Sequence, residues 1–207
     1  APDPGILARE LRQKPGVVAG LGGFRSEHRA HPHAEARFRI CEEQSLAKPF
    51  DVDKLLQNDI RDAYSAGVSV VAAVGNSDDG GLNLDETPVY PVCFGENGAD
   101  WVIGVAATTD LDTKADFSNY GANCTDISAP GESILSTVPG NGSSADSGTS
   151  MAAPFVAGVA GLILATEPNL SAVELRRRIL QTADPAFYSD ENGNQAYGEP
   201  RRLKAAL

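Results

Sequence analysis

The segment Phe155-Val156-Ala157-Gly158-Val159-Ala160-Gly161-Leu162-Ile163-Leu164-Ala165 carries no polar side chain. A helix built from it has no side suited to water, so the rest of the chain must fold around it. Directly before it stands Ser147-Gly148-Thr149-Ser150-Met151-Ala152-Ala153-Pro154. Pro154 lacks the N–H that would reach the carbonyl of Ser150, a loss tolerated near the start of a helix, which places the helix N-terminus at the serine cluster. Such an end gathers unpaired N–H groups and the positive pole of the helix dipole, so a hydroxyl at Ser150 lies where an oxyanion would be stabilised. Two readings stand side by side: Ser147, Thr149 and Ser150 as caps of a core helix, or Ser150 as a nucleophile. The apolar run is too short to cross a bilayer and reads as a buried core helix.

Other elements supply the setting. From Asp51 to Gly67, residues Val52, Leu55, Leu56, Ile60, Ala63 and Tyr64 recur on one face at helical spacing, with an acidic start and a glycine stop. This pattern predicts an amphipathic helix. The β-branched run Val68-Ser69-Val70-Val71-Ala72-Ala73-Val74 suits a strand buried on both faces of a parallel sheet, and Trp101 to Ala107 is a second such run. Beyond the core helix, Val173, Leu175, Ile179 and Leu180 mark another helix, opened by Ser171 with Glu174 three residues on as a capping box.

At the end of the first strand lies Val71-Ala72-Ala73-Val74-Gly75-Asn76. With the Gly-Thr-Ser-Met-Ala-Ala-Pro segment ending at Pro154, it resembles the subtilisin-like serine peptidases (subtilases), which carry Gly-Thr-Ser-Met-Ala-x-Pro and Ala-Ala-x-Gly-Asn segments. Tyr90-Pro91, Phe117-Ser118-Asn119-Tyr120-Gly121 and Ala129-Pro130-Gly131 match further signatures of the family in order, and the resemblance runs from Asp51 to Leu207. It implies an α/β fold of three layers, a mostly parallel sheet flanked by helices. Residues 51–207 would be the C-terminal portion of a subtilase catalytic domain, truncated on its N-terminal side, with residues 1–50 a diverged or incomplete segment. The resemblance makes Ser150 the nucleophile and Asn76 the side-chain donor of the oxyanion hole, beside the backbone N–H of Ser150. It places Ala73, Val74, Gly75 and Thr149 among the substrate-binding residues and implies endopeptidase action on protein or peptide substrates.

A serine hydroxyl is a weak nucleophile until a base takes its proton, and that base needs a carboxylate to orient it. The family supplies these from an Asp-Thr-Gly turn and a His-Gly-Thr-His helix start upstream. Here the candidates are Asp3, in Asp3-Pro4-Gly5-Ile6, and His28, which shares with His31 the spacing of the family's two histidines. Both depart from the pattern: Arg29-Ala30 replaces Gly-Thr, Pro32 would disrupt the helix, and no apolar strand leads into Asp3. A solvated loop is the competing reading. A missing N-terminal part of the same domain would then provide the base, and the chain alone would be inactive. Two candidates exist for the strand before the Asp51 helix, Gly16 to Gly23 and Ala36 to Cys41. The alternative functions are a non-catalytic binding or scaffold protein derived from a subtilase, and an unrelated serine hydrolase. Against the latter, no Gly-x-Ser-x-Gly surrounds Ser150.

Composition narrows the partners. A net charge of -11 opposes nucleic acid and anionic membranes as partners, and 207 residues with 42% hydrophobic content suit one domain with a core. No cofactor is needed for the chemistry. Asp78-Asp79, Asp110 with Asp112, and Asp190 to Asn194 offer oxygen ligands of the type calcium prefers, so structural calcium is an expectation beside plain solvated loops. The histidine cluster between Glu27 and Glu35 has metal-ligating residue types without a fixed geometry. Cys93 and Cys124 flank the second core strand and its return, either bonded, worth about 3 to 4 kcal/mol, or as two buried thiols. Cys41 is left over. The family implies a secreted or extracytoplasmic setting.

Overall fold

In the computed structural model, residues 18–21, 52–96, 99–185 and 201–202 are described. The elements in chain order are β1 (Val18–Leu21), α1 (Val52–Ser65), β2 (Ser69–Ala73), β3 (Gly95–Glu96), β4 (Ala99–Asp100), β5 (Val102–Thr108), β6 (Ile127–Pro130), β7 (Ile134–Val138), β8 (Gly142–Asp146), α2 (Thr149–Thr166), α3 (Ala172–Thr182), β9 (Asp184–Pro185) and β10 (Arg201–Arg202). Six strands form one sheet in the order β1-β2-β5-β6-β10-β9. The pairs from β1 through β6 to β10 are parallel, and β9 closes the edge antiparallel to β10. Of the two candidates for the first strand, Val18–Leu21 takes the place beside β2, pairing Val18 with Ser69 and Leu21 with Ala72. Ala36 to Cys41 lies outside the described residues.

Side chains alternate between two cores because successive residues of a strand face opposite sides. Val71, Ile103, Val105 and Ile127 pack with Ala153, Val156, Ala160 and Ile163 of α2 and with Leu175 and Ile179 of α3. Val70, Ala72 and Val102 point the other way, towards Ile60 of α1 and the segment holding Leu84, Val92 and Phe94. The result is a three-layer α/β fold, helix, sheet and helix. All seven residues of β5 are buried, as its unbroken apolar run predicts. At Gly104 the strand has no room for a side chain: a β-carbon there would lie 1.9 Å from the carbonyl oxygen of Cys124. That approach goes with a disulfide between Cys93 and Cys124, which settles the open choice in favour of the bond. The capping box of α3 is present in full, with Glu174 N–H donating to Ser171 Oγ and Ser171 N–H to Glu174 Oε2.

Helix α2 corrects two expectations. Its N-cap is Gly148, with no side-chain cap, because Ser147 and Thr149 direct their hydroxyl oxygens elsewhere. It is also not buried all round. Ala152, Ala153, Val156, Ala157, Ala160 and Ile163 face the sheet, but Phe155 is 42% and Leu162 63% exposed. An all-apolar sequence carries no sign of which side stays uncovered. With 18 residues and a mean hydropathy of 1.6, α2 is longer than the apolar run suggested and reaches by length and composition what a membrane crossing needs. Its packing across β1, β2, β5 and β6 accounts for the apolarity of its sheet-facing side.

Candidate active site

The ends of the parallel strands meet the start of α2. After β2, Val74 extends the ladder by one bond, its N–H donating to Val105 O at 3.1 Å, and Gly75 then turns away with φ +93. A β-carbon is disfavoured in that region, so glycine permits the turn that sends Asn76 out over the sheet's carboxyl edge. After β6, Gly131 N–H donates to Thr108 O at 3.0 Å and its carbonyl accepts Gly148 N–H at 2.7 Å. Gly131 allows this contact, since a β-carbon there would fall 2.8 Å from the Gly148 carbonyl and 2.5 Å from Ala107 Cβ. Position 148, and with it the N-terminus of α2, is thereby fixed to the ends of β5 and β6. Open parallel sheets present ligand sites at this edge.

Three groups then lock together. Thr149, fully buried, donates its backbone N–H to Asn76 Oδ1 at 2.9 Å and its hydroxyl to the same oxygen at 3.1 Å. In return Thr149 Oγ1 accepts the N–H of Gly75 at 3.2 Å. A backbone N–H can only donate, so the atom of Asn76 facing Thr149 must be its oxygen, and the NH2 group is turned the other way. The point where a β-carbon would sit on residue 148 lies 3.4 Å from Met151 Sδ, 3.5 Å from Asn76 Nδ2 and 3.7 Å from Ser150 N. Two donors thus stand near one point beside a glycine, next to the Met151 sulfur and at the positive end of α2. Ser150 is half-buried and Asn76 exposed.

The structure brings together Asn76, Gly75, Thr149 and Ser150, and places Ala73 and Val74 behind them. Val74 is fully buried, and the N–H and carbonyl of both Val74 and Gly75 are engaged within the protein. Asp3 and His28 lie outside the described residues, as do His31 and His33. Among the described residues no three His, Cys, Asp or Glu side chains group as a metal site, and the stretch from Asp190 to Asn194 falls outside them.

Reading the sequence missed Asn119, which is fully buried. Its Nδ2 donates to Val74 O at 3.0 Å, its Oδ1 accepts Leu82 N–H at 2.8 Å, and its own N–H donates to Gly75 O at 3.0 Å. It closes the base of the loop carrying Asn76. The signal available was the Phe-Ser-Asn-Tyr-Gly segment, which named a motif without naming a task. Lys114, in the same region, has its pKa lowered by burial, against the opposing pull of Asp116.

A sequence profile of the Subtilase family (Peptidase S8) matches residues 41–199. Subtilisin DY of Bacillus licheniformis is 42% identical over 128 residues, 62% of this chain and 44% of its own length. The cell wall-associated protease of Bacillus subtilis (strain 168) is 38% identical over 138 residues, 64% of this chain and 14% of its own. Among solved structures, a cold-adapted subtilisin-like serine proteinase aligns with a TM-score of 0.64 at 23% identity, covering all of this chain and 63% of that one. The chain therefore spans less than half the length of Subtilisin DY. With the profile matching most of its residues, this chain belongs to the subtilase family.

Proposed function

We propose that this chain carries the nucleophile and oxyanion donors of a serine endopeptidase acting on protein or peptide substrates. Ser150 attacks the scissile carbonyl, and the backbone N–H of Ser150 with Nδ2 of Asn76 receives the charge that develops on its oxygen. The base and its orienter come from polypeptide other than the described residues, in the family's Asp-Thr-Gly and His-Gly-Thr-His segments. The 207-residue chain alone accordingly turns over little or no peptide. The exposed apolar side of α2, at Phe155 and Leu162, is the surface that such a part of the domain would cover.

The observation that carries this reading is the clamp of Thr149 on Asn76 Oδ1, which turns Nδ2 away from Thr149 and leaves it 3.5 Å from the point where a β-carbon would sit on Gly148. A donor fixed before the reaction needs no reorganisation as charge develops, the condition under which such groups lower a barrier. An extracytoplasmic setting belongs to the same proposal. One relative is named as cell wall-associated, and the Cys93–Cys124 disulfide persists in an oxidising compartment.

The test is hydrolysis of a peptide ester by the chain and by Ser150→Ala, each alone and after refolding with a polypeptide bearing the two missing segments. Expected is background turnover alone and Ser150-dependent turnover on complementation. Equal turnover by the Ser150→Ala protein in the complemented mixture would defeat the assignment.

A further inference from the structure

The loop from Gly75 to Leu82 carries Asn76, and its tip is gripped by a single side chain. Asp79, Gly80 and Gly81 all have positive φ, at 56, 88 and 85. This coil turns the Gly80 carbonyl inwards, onto Nζ of Lys114 at 2.8 Å. The same ammonium reaches Ser118 O at 3.0 Å, Ala115 O at 3.1 Å and Asp116 O at 3.4 Å. A lysine ammonium has three protons, and three carbonyls stand at ordinary hydrogen-bond distance with the fourth farther out. The Tyr120 ring lies 5.5 Å from Nζ on a further side, within reach of a cation–π contact. Carbonyl dipoles converging on one point repel one another unless a cation sits between them.

The cradle joins two segments. Gly80 belongs to the Asn76 loop, whereas Ala115, Asp116 and Ser118 follow the turn that leaves β5. Ser118 is also the residue with which Asn76 forms an isolated antiparallel bridge. Gly81 rests directly on it, for a β-carbon there would meet Ser118 O at 2.0 Å. The base of the loop is tied by Asn119 and the tip by Lys114.

We propose that the Lys114 ammonium is an internal cation that docks the Asn76 loop on the 115–118 backbone, making Lys114 a positioning residue for the Asn76 amide. It acts through the carbonyls of Gly80 and Ser118. The inference rests on the reading of Asn76 as an oxyanion donor.

The experiment is NMR of the full 15N-labelled chain, following the Asn76 side-chain NH2, assigned by its loss in Asn76→Asp, and hydrogen exchange at the amides of Gly75 and Thr149. In Lys114→Met, which keeps the stem and removes the charge, the NH2 signals move towards those of a free amide and both backbone amides exchange at least about tenfold faster. In Lys114→Ala, ethylammonium restores the original signals, whereas tetraethylammonium at equal ionic strength does not. Unchanged Asn76 signals in Lys114→Met, or failure of ethylammonium to restore them in Lys114→Ala, would overturn the proposal. If Lys114→Met does not fold, refolding of Lys114→Ala by ethylammonium decides the matter in the same two directions. The readout is the geometry of Asn76 and not turnover. A Ser150 that proved inert to peptides would leave this inference intact, and an unmoved Asn76 would leave the functional reading intact.

Discussion

Thr149 holds Asn76 by two hydrogen bonds to one oxygen, from its backbone N–H at 2.9 Å and its hydroxyl at 3.1 Å. The residue next to the candidate nucleophile thus orients the candidate donor on a different strand's loop. Replacing Thr149 by Val keeps the shape and removes the hydroxyl. Gly75 N–H, buried beneath it, then loses its acceptor. Thr149→Val is expected to lose about 1–3 kcal/mol of stability, the cost of an unsatisfied buried donor, with Thr149→Ser retaining most of it. Urea midpoints of the three proteins measure this, and a Val variant as stable as the parent would show that the clamp contributes nothing.

A second prediction concerns the close approach at Gly104. Adding one methyl group there brings an atom to 1.9 Å from the Cys124 carbonyl oxygen, against backbone that is itself tied down by the disulfide. Gly104→Ala should destabilise by more than about 3 kcal/mol, beyond ordinary overpacking, because neither β5 nor the Cys124 turn can yield. Circular dichroism melting of this variant beside Gly158→Ala, where a β-carbon meets nothing within 4 Å, provides the contrast. Similar melting of the two would contradict the packing.

The third concerns pH. Asp126 accepts Gly104 N–H at 2.8 Å and pairs with Arg176 of α3, which also reaches Asp100 at 2.8 Å. Burial pushes the Asp126 carboxyl up from 3.8 to about 6; the Arg176 charge and the Gly104 N–H pull it down, and Asp100 pushes it up. An acid with a raised folded pKa holds its proton in the folded state where the unfolded chain has released it. Stability from this group therefore falls as pH rises from about 4 to about 6, and the deficit persists above that range. Asp126→Asn should flatten this part of the stability profile. Urea midpoints across the window check it, and an unchanged slope would show that another group titrates there.

Fourth, the Cys93–Cys124 bond spans 31 residues of chain. Closing a loop of that length stabilises by about 3–4 kcal/mol through the unfolded state. Thermal melting of the Cys93→Ala, Cys124→Ala double variant should show a loss of that order. A melting point equal to the parent's would mean the folded state gives back what the cross-link gains.

Elements built on local periodicity were legible in the sequence. The α1 helix and the Ser171 capping box follow from spacing, the two buried strands and the helix after Ser150 from unbroken apolar runs, and the roles given to Ser150 and Asn76 rest on a family resemblance carried by two short motifs in a fixed order. What stayed hidden depends on distant backbone. The Asn119 side chain finds its partners in a loop 37 to 45 positions away, and Lys114 joins carbonyls of its own neighbourhood to that of Gly80, 34 positions away. The pairing of Arg176 with Asp126 crosses 50 positions. Nothing in the residues around Lys114 distinguishes it from a solvated charge. The exposed side of α2 was hidden for the opposite reason, since every residue there looks fit for a core.

The most direct test is to map where a fluorophosphonate bonds to the full chain after long incubation, by mass spectrometry, in the parent and in Asn76→Ala. An oxyanion site without its base still favours attack at its own serine, because the donors stabilise the adduct's charged oxygen. The expected result is slow but selective modification of Ser150 over the other serines, reduced about 10- to 100-fold in Asn76→Ala. Label spread over other serines, or selective label at Ser150 that Asn76→Ala leaves unchanged, would contradict the account.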